Sequence, residues 1–272
     1  MPELPEVETT LNALKPHLNG EVFHHVIVRE TRLRWPVPDK LNDTLANLSI
    51  LNLSRRGKYI LIHCDKGTLI IHLGMSGRLK LLTHHDEPMR HDHVDFILSS
   101  GLILRYHDPR RFGAILWTNE PPAHHVLLKS LGPEPLEDDF TGEYLFAITR
   151  NRRLAIKLLI MNAACVVGVG NIYANEALFL SGIHPEMPAK NVKIDQCNRL
   201  VLSIKSVLMR AIQQGGTTLK DFINPLGKPG YFTQQLNVYG REGLACFQCQ
   251  SVLKAMRLGQ RTTVYCNVCQ PE

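Results

Sequence analysis

Cys246-x-x-Cys249 and Cys266-x-x-Cys269, sixteen residues apart, close the 272-residue chain. No other feature restricts its folding so narrowly. Each CxxC makes a tight knuckle that aims two sulfurs at one point, and the gap between the pairs fits a four-thiolate zinc site. With all four positions filled by protein, the metal is structural and holds no catalytic water. A redox CxxC fits less well, because there are two pairs and no surrounding βαβ pattern. The intervening "VLKAMRLGQRTTVYC" reads as a hairpin with Gly259 to Thr262 at its turn. Disulfides in a seven-cysteine chain would suit a small secreted protein, which this is not. Cys64, Cys165 and Cys197 stand among apolar neighbours and read as core thiols.

The length suffices for two domains and a substantial core. A formal charge of +6 leans toward a polyanionic partner. No apolar run approaches a membrane span, and the polar start is neither signal nor transit peptide, so the expected location is the cytosol or nucleoid. Basic residues gather as Arg29, Arg32 and Arg34; Arg55, Arg56 and Lys58; Arg110 and Arg111; and Arg152 and Arg153. Each group alone reads as a solvated face. Spread over both halves and joined to a basic hairpin containing Arg261, they favour a nucleic-acid cleft between domains.

From about Gly20 to Trp117 the chain reads as β structure. "KYILIHC", "TLIIHLG", "RLKLL", "HVDFILSSGLILRYHD" and "RFGAILW" are short apolar runs divided by Gly, Ser and Asp turns, which suits a sandwich or barrel-like pair of sheets. "LGPEPLEDD", with two prolines and four acids, marks the domain boundary. Beyond it, Leu200, Ile204, Val207, Leu208 and Ala211 recur on one helical face. Residues 214–243 carry many glycines and little periodicity, which in a compact protein signals a functional or mobile loop.

The start, "MPELPEVETT", has two readings. Prolines and acids suit a first helical turn, and Leu4, Val7, Leu11 and Leu14 recur at spacings of three and four, predicting a helix from about Pro5 to Lys15. Met1 before a small residue is normally trimmed, which would leave Pro2 as a secondary amine with carboxyl groups one and four residues on. Elsewhere, "GVGN" (168–171) lacks the third glycine of a dinucleotide fingerprint, but a glycine turn before a helix can hold a phosphate, with Asn171 as a further donor. Met75 in "HLGMSG" and Phe112 in "DPRRFG" lie between glycines at strand ends, where core packing is the ordinary reading. An exposed apolar tip beside an arginine suits a wedge entering a base stack. His91 and His93 flank Asp92 before a strand and read as polar strand-end residues, with no third metal ligand evident.

Taken together, "PELPEVET", "RRGKY", "IIHLGMSG", "HDHVD", "DPRRFGA", "LGPEPL", "VVGVGNIYANEALF", "QGGTTLKDF", "GKPGYF", "VYGREG" and the terminal cysteines resemble the bacterial formamidopyrimidine-DNA glycosylases over essentially the whole chain. The resemblance implies an α+β protein in three segments. These are an N-terminal β-sandwich catalytic domain with flanking helices (1–132), a helical helix-two-turn-helix domain with a lesion-capping loop at about 214–240 (133–240), and a zinc β-hairpin finger (241–272). It implies a monomer that flips out and excises oxidised purines such as 8-oxoguanine from damaged double-stranded DNA and then cuts the strand by β,δ-elimination.

Residue by residue, the resemblance makes Pro2 the nucleophile, Glu3 the acid at the deoxyribose ring oxygen, and Glu6 a support for the amine. Lys58 touches the lesion-side phosphate and assists β-elimination, and Arg261 grips the phosphate and assists δ-elimination. His91, Arg110, Arg152, Asn171, Lys157 and Lys220 contact DNA. Met75, Arg110 and Phe112 fill the gap left by the extruded nucleotide, with Arg110 reading the opposite cytosine. Backbone amides near Thr217 to Phe222 face the everted base, the individual roles of Leu219 to Phe222 staying open. One ion of zinc is held by Cys246, Cys249, Cys266 and Cys269. Two rival readings remain at this stage, an endonuclease VIII-like enzyme for oxidised pyrimidines and a non-catalytic DNA-binding protein.

Overall fold

A computed structural model describes residues 2–84, 86–217, 224–228 and 230–272. The first helix, α1 (Leu4–Leu18), carries Pro5 in its first turn, where an absent N–H costs nothing. Sequence periodicity ends this helix at Lys15, before Pro16. The helix instead runs through Pro16 to Leu18. Leu18 is fully buried, and its apolar burial offsets the one hydrogen bond that proline cannot make.

Strands β1 (Phe23–Val28) and β2 (Ile50–Arg56) flank a short helix, α2 (Leu41–Leu45). Six more strands follow: β3 (Tyr59–Cys64), β4 (Gly67–His72), β5 (Arg78–Leu82), β6 (Asp92–Leu98), β7 (Ile103–His107) and β8 (Ala114–Thr118). They form two four-stranded sheets, ordered β1-β6-β7-β5 and β2-β3-β4-β8, with every pairing antiparallel. The five apolar runs read from the sequence coincide with β3 to β8. The first two strands gave no separate signal, and each has a register shift, at Phe23/His25 and at Ile50/Asn52. A bulge places the buried residues three apart (Phe23 and Val26, Ile50 and Leu53) and so breaks the period of two by which a strand is read. Val26, Phe96 and Leu104 from one sheet, Leu53, Ile62 and Ile115 from the other, and Val7, Leu11 and Leu14 of α1 share one core.

Beneath the first sheet lies a buried charge cluster. Arg105, 2% exposed, donates through Nε to Asp95 Oδ1 at 2.7 Å and lies 3.5 Å from Asp92. Arg29 also reaches Asp95 at 2.7 Å, while His107 Nδ1 and Lys80 reach Asp92 at 2.7 and 3.3 Å. Burial pushes the Asp95 carboxyl up, but hydrogen bonds from Arg105 and Arg29 outweigh it and hold the group below the usual range.

Beyond Ser130 come α3 (Gly142–Thr149), α4 (Ile156–Ile160), α5 (Asn171–Ser181) and α6 (Ile194–Gln213), then the hairpin of β9 (Lys254–Leu258) and β10 (Arg261–Tyr265). The α6 face read from the sequence is buried in a second core with Phe140, Leu178 and Val192. The hairpin turn is only Gly259-Gln260, both at positive φ (+52° and +60°), as a two-residue turn matching strand twist requires. Arg261 and Thr262 therefore stand in β10, paired with Leu258 and Arg257, rather than in the turn. Cys64 and Cys197 are buried core thiols, pushed up to about 12 and about 11 by burial. Cys165 is partly buried and packs against the second core, and burial pushes its thiol up.

The chain groups into two units, Met1–Ser130 with Gln214–Tyr231, and Leu131–Gln213 with Phe232–Glu272. The break before Leu131 falls where "LGPEPLEDD" begins. The grouping differs from the three segments read from sequence. The cysteine hairpin goes with the helices because Val264 N–H donates to Asn175 Oδ1 (2.8 Å), Asn171 Nδ2 to Thr262 O (3.0 Å) and Gln270 Nε2 to Ile183 O (2.9 Å). Among the described residues no helix is long and apolar enough to cross a membrane.

Arg105→Ala leaves two buried carboxyl groups short of their cation, and the expected loss is about 3–5 kcal/mol in urea unfolding at pH 7. The folded pKa of Asp95 is depressed, so its contribution is complete above the unfolded value of about 3.9 and disappears as pH falls through the lower folded value. The variant's deficit should accordingly narrow in acid.

Candidate active site and metal centre

Glu3 and Glu6 are both 2% exposed, unusual for glutamates at a chain start, while Pro2 is partly exposed. The Glu3 N–H donates to Glu6 Oε2 at 2.8 Å, so Glu6, in the first turn of α1, fixes the backbone beside Pro2. Its other oxygen, Oε1, accepts the N–H of Thr217 at 2.8 Å, across 211 positions of sequence. Thr217 begins a loop whose neck closes through Tyr231 N–H to Gln214 O at 3.0 Å. A Cβ on Gly230 would stand 2.3 Å from Gly216 O, so the neck closes only because that residue is glycine. Leu219 to Phe222, including Lys220, lie outside the described residues.

Lys58 sits in the β2–β3 turn. Arg55 on β2 holds that turn to α1, donating to Glu8 at 2.6 Å and to Gly57 O at 3.0 Å. Tyr59, next to Lys58, packs its ring 4.7 Å from His72. Burial first, then the Lys58 and Arg34 charges, bring the His72 imidazole down to about 4. Its Nδ1 accepts the Gly74 N–H at 3.0 Å, which leaves the ring neutral with its proton on Nε2.

Met75 and Phe112 are 38% and 43% exposed, each at a loop tip. Arg110 is exposed and its guanidinium lies 4.8 Å from the Phe112 ring centroid. The two loops touch, since a Cβ on Gly74 would lie 2.4 Å from the carbonyl carbon of Phe112. His91, partly buried, has its ring edge-on to His93 and His107 at 6.2 and 6.1 Å. The Asp92 side chain faces away into the charge cluster, and the His93 Nε2–H donates to Asp108 O at 2.8 Å.

In the second unit, Asn171 opens α5 after Gly170, and Arg152 is exposed on the turn after α3. Lys157, expected to contact DNA, has 0% exposure. Its Nζ donates to Asn171 Oδ1 (2.7 Å) and Thr263 Oγ1 (2.6 Å), so it braces Asn171 against the strand that carries exposed Arg261. Glu176 on α5 is equally hidden. Its carboxyl accepts the backbone N–H groups of Asn237, Val238 and Tyr239 at 2.8–2.9 Å and orders the approach to the first knuckle. The sequence reading passed over Glu176, His72 and Ser76. A lone Glu, His or Ser carries no spacing signal, so nothing in the sequence singles these three out.

Cys246, Cys249, Cys266 and Cys269 place their sulfurs within 4.8 Å of one another, with Cys249–Cys266 at 3.3 Å and Cys246–Cys269 at 3.9 Å. A tetrahedral ion with metal–sulfur bonds of about 2.3 Å needs sulfurs about 3.8 Å apart, so the four thiols fit one ion. Cys246 and Cys266 are buried against Phe179, Val238, Leu253 and Val264.

A two-sheet unit carrying a proline-glutamate start, with a helical unit closed by a four-thiolate hairpin, is the architecture of a helix-two-turn-helix DNA glycosylase. Two family models match, "Formamidopyrimidine-DNA glycosylase N-terminal domain" over residues 1–115 and "Formamidopyrimidine-DNA glycosylase H2TH domain" over residues 131–223. Among curated relatives, formamidopyrimidine-DNA glycosylase of Hydrogenovibrio crunogenus is 55% identical over 100% of this chain and 97% of its own. That of Nitrosococcus oceani is 53% identical over 99% of this chain and 100% of its own. Among solved structures, the Lactococcus lactis enzyme in complex with DNA containing N7-benzyl-Fapy-dG matches with a TM-score of 0.92 at 31% identity, covering 100% of both chains. The Thermus thermophilus protein matches with a TM-score of 0.89 at 35% identity, covering 100% of this chain and 99% of that one. The chain belongs to the formamidopyrimidine-DNA glycosylase family.

Cys249→Ser removes one thiolate of four. Elemental analysis should find the bound ion lost, and near-ultraviolet dichroism should show the hairpin loosened while the cooperative unfolding of the sandwich unit persists.

Proposed function

We propose that this chain is a bifunctional glycosylase of base excision repair that removes oxidised purines from duplex DNA and then cleaves the strand. Family membership supports the activity, and one observation carries the site: the buried Glu6 carboxyl holds both the Glu3 N–H beside Pro2 and the Thr217 N–H at the loop neck. With Met1 removed, Pro2 presents a secondary amine. An α-amino group has an unperturbed pKa of about 8 against about 10.4 for lysine, so far more of it is unprotonated at neutral pH.

The amine attacks the sugar C1′ as the bond to the base breaks, and the electron pair leaves with the base. Glu3 protonates the ring oxygen, which opens the sugar to a cationic iminium. That cation acidifies the C2′ protons. Loss of one breaks the bond to the 3′ phosphate, and a second elimination breaks the 5′ bond. Glycosidic cleavage and strand cleavage thus share one covalent intermediate.

Lys58 and Arg261 act at the phosphates flanking the lesion, assisting β- and δ-elimination. His91, Arg152 and Asn171 position the backbone, and Met75, Arg110 and Phe112 occupy the space the extruded nucleotide vacates, since C1′ is shielded while the base is stacked. Lys157 acts by holding Asn171 and the Arg261 strand together. The loop that begins at Thr217 closes over the everted base, and Lys220 is a DNA contact. Zinc is the ion of the four thiolates and shapes the hairpin that presents Arg261. The enzyme works as a monomer in the cytoplasm, on the nucleoid.

The Lactococcus lactis relative has also been solved with DNA containing an oxidised pyrimidine. Excision from duplexes with 8-oxoguanine opposite cytosine and with thymine glycol opposite adenine separates the two preferences, and faster release of the pyrimidine would overturn the purine assignment. Glu3→Gln should lower base excision by about 10²-fold or more with duplex affinity retained. Borohydride should trap the native chain on damaged DNA, and a chain that keeps Met1 should give no adduct. Trapping of the Met1 form would remove Pro2 from the mechanism.

A further inference from the structure

Met75, Arg110, Phe112 and His91 belong to three separate loops, yet one residue with no exposed surface touches all three. Asp108 is 0% exposed. Its Oδ1 accepts the Ser76 hydroxyl at 2.8 Å, and the Ser76 Oγ in turn accepts the Arg110 N–H at 3.2 Å. Its Oδ2 accepts the Gly113 N–H at 2.9 Å and lies 3.3 Å from the Tyr106 hydroxyl, itself 3.2 Å from His72 O. The Asp108 backbone donates to His91 O at 3.0 Å and accepts from His93 and Arg111.

The space around this carboxyl is closed by glycines. A Cβ on Gly113 would fall 1.8 Å from the Tyr106 hydroxyl, and one on Gly77 would fall 2.2 Å from Leu73 O and 3.0 Å from that hydroxyl. Arg111 adopts a φ of +56°, a left-handed conformation unfavourable for an arginine, in the turn that carries Arg110 and Phe112 outward. A strained turn persists where its surroundings over-determine it, and here Gly113, Arg111 and Ser76 all bond to Asp108.

We infer that Asp108 is a positioning residue that joins the Met75 loop and the Arg110–Phe112 turn into one rigid probe, and so sets how strictly the enzyme selects the base opposite the lesion. The inference rests on the proposed placement of Arg110 against the opposite base. An unbraced probe still fills space with the same side chains. What it loses is the fixed distance between Arg110 and Met75, and displacement of about 1 Å in a positioning group costs up to about 10²-fold in rate. A preformed abasic site has no base to extrude and depends less on the probe.

The experiment measures single-turnover excision of 8-oxoguanine opposite cytosine and opposite adenine, and cleavage of a preformed abasic site, for the full chain and four variants. Asp108→Ala should lower excision opposite cytosine about tenfold and shrink the cytosine-to-adenine ratio about as much, with abasic-site cleavage changed less than about threefold. Asp108→Asn should restore the ratio, because its amide can accept from Gly113 and donate to the Ser76 oxygen. Ser76→Ala removes one strut without opening a buried carboxyl and should move the ratio in the same direction. It decides the matter if Asp108→Ala does not fold.

Arg110→Ala separates the two ideas. If it abolishes the ratio while Asp108→Ala and Ser76→Ala leave it intact, the positioning role of Asp108 is wrong and the Arg110 assignment survives. If Arg110→Ala leaves the ratio intact, the Arg110 assignment fails and the inference fails with it. An equal loss on all three substrates in a folded Asp108→Ala chain would also overturn it, because that marks general damage to the sandwich.

Discussion

A carboxyl group taken out of water must find hydrogen-bond partners, and this chain repeatedly meets that demand by having one buried acid hold two distant stretches together. Glu6 holds the chain start and the Thr217 loop neck, and Asp108 holds the Met75 loop and the Arg110 turn. Glu176 holds α5 and the segment entering the first cysteine knuckle, while Asp95 holds Arg29 and Arg105 under the first sheet. Most of the partners are backbone N–H groups or guanidiniums, joined at Asp108 by the Ser76 and Tyr106 hydroxyls and at Glu176 by the Asn237 amide. Such donors occupy fixed positions, so the acids fix loops that apolar packing alone would leave adaptable.

The same device explains why functional side chains sit at loop tips without being loose. Met75, Arg110, Phe112 and His91 are exposed or partly exposed, but the backbone under them belongs to the Asp108 network. Asn171 and Arg261 come from a helix start and a hairpin, and Lys157 bolts the two together from inside. The hairpin is thereby part of the helical unit rather than an appendage, with Val264, Thr262 and Gln270 all hydrogen-bonded into α5 or its C-terminal turn. An ion at the four thiolates would then stiffen a surface already keyed to Asn171.

Much of this was legible from residue chemistry and spacing. The knuckles announced a metal site because thiolate pairs at that separation have few other uses, and β3 to β8 announced themselves by short apolar runs between turn residues. The α6 face followed from its period. Signals failed where local geometry departed from the regular period. Bulges hid β1 and β2, burial of Leu18 carried α1 past Pro16, and the turn shrank to Gly259-Gln260 because two consecutive positive-φ residues close a hairpin without Arg261.

By itself the sequence determined which chemical groups this protein has and which local elements carry them, because propensity, period and thiolate spacing act over a few residues. Only the tertiary structure decided which groups meet. Glu6 and Thr217 are separated by 211 positions, Lys157 and Thr263 by 106, and Ser76 and Asp108 by 32. Such pairings have no local period to betray them. They arise when the sheets and helices close and each buried polar atom takes the donor that closure brings near, which is how Lys157, a charge in sequence, became a brace in the fold.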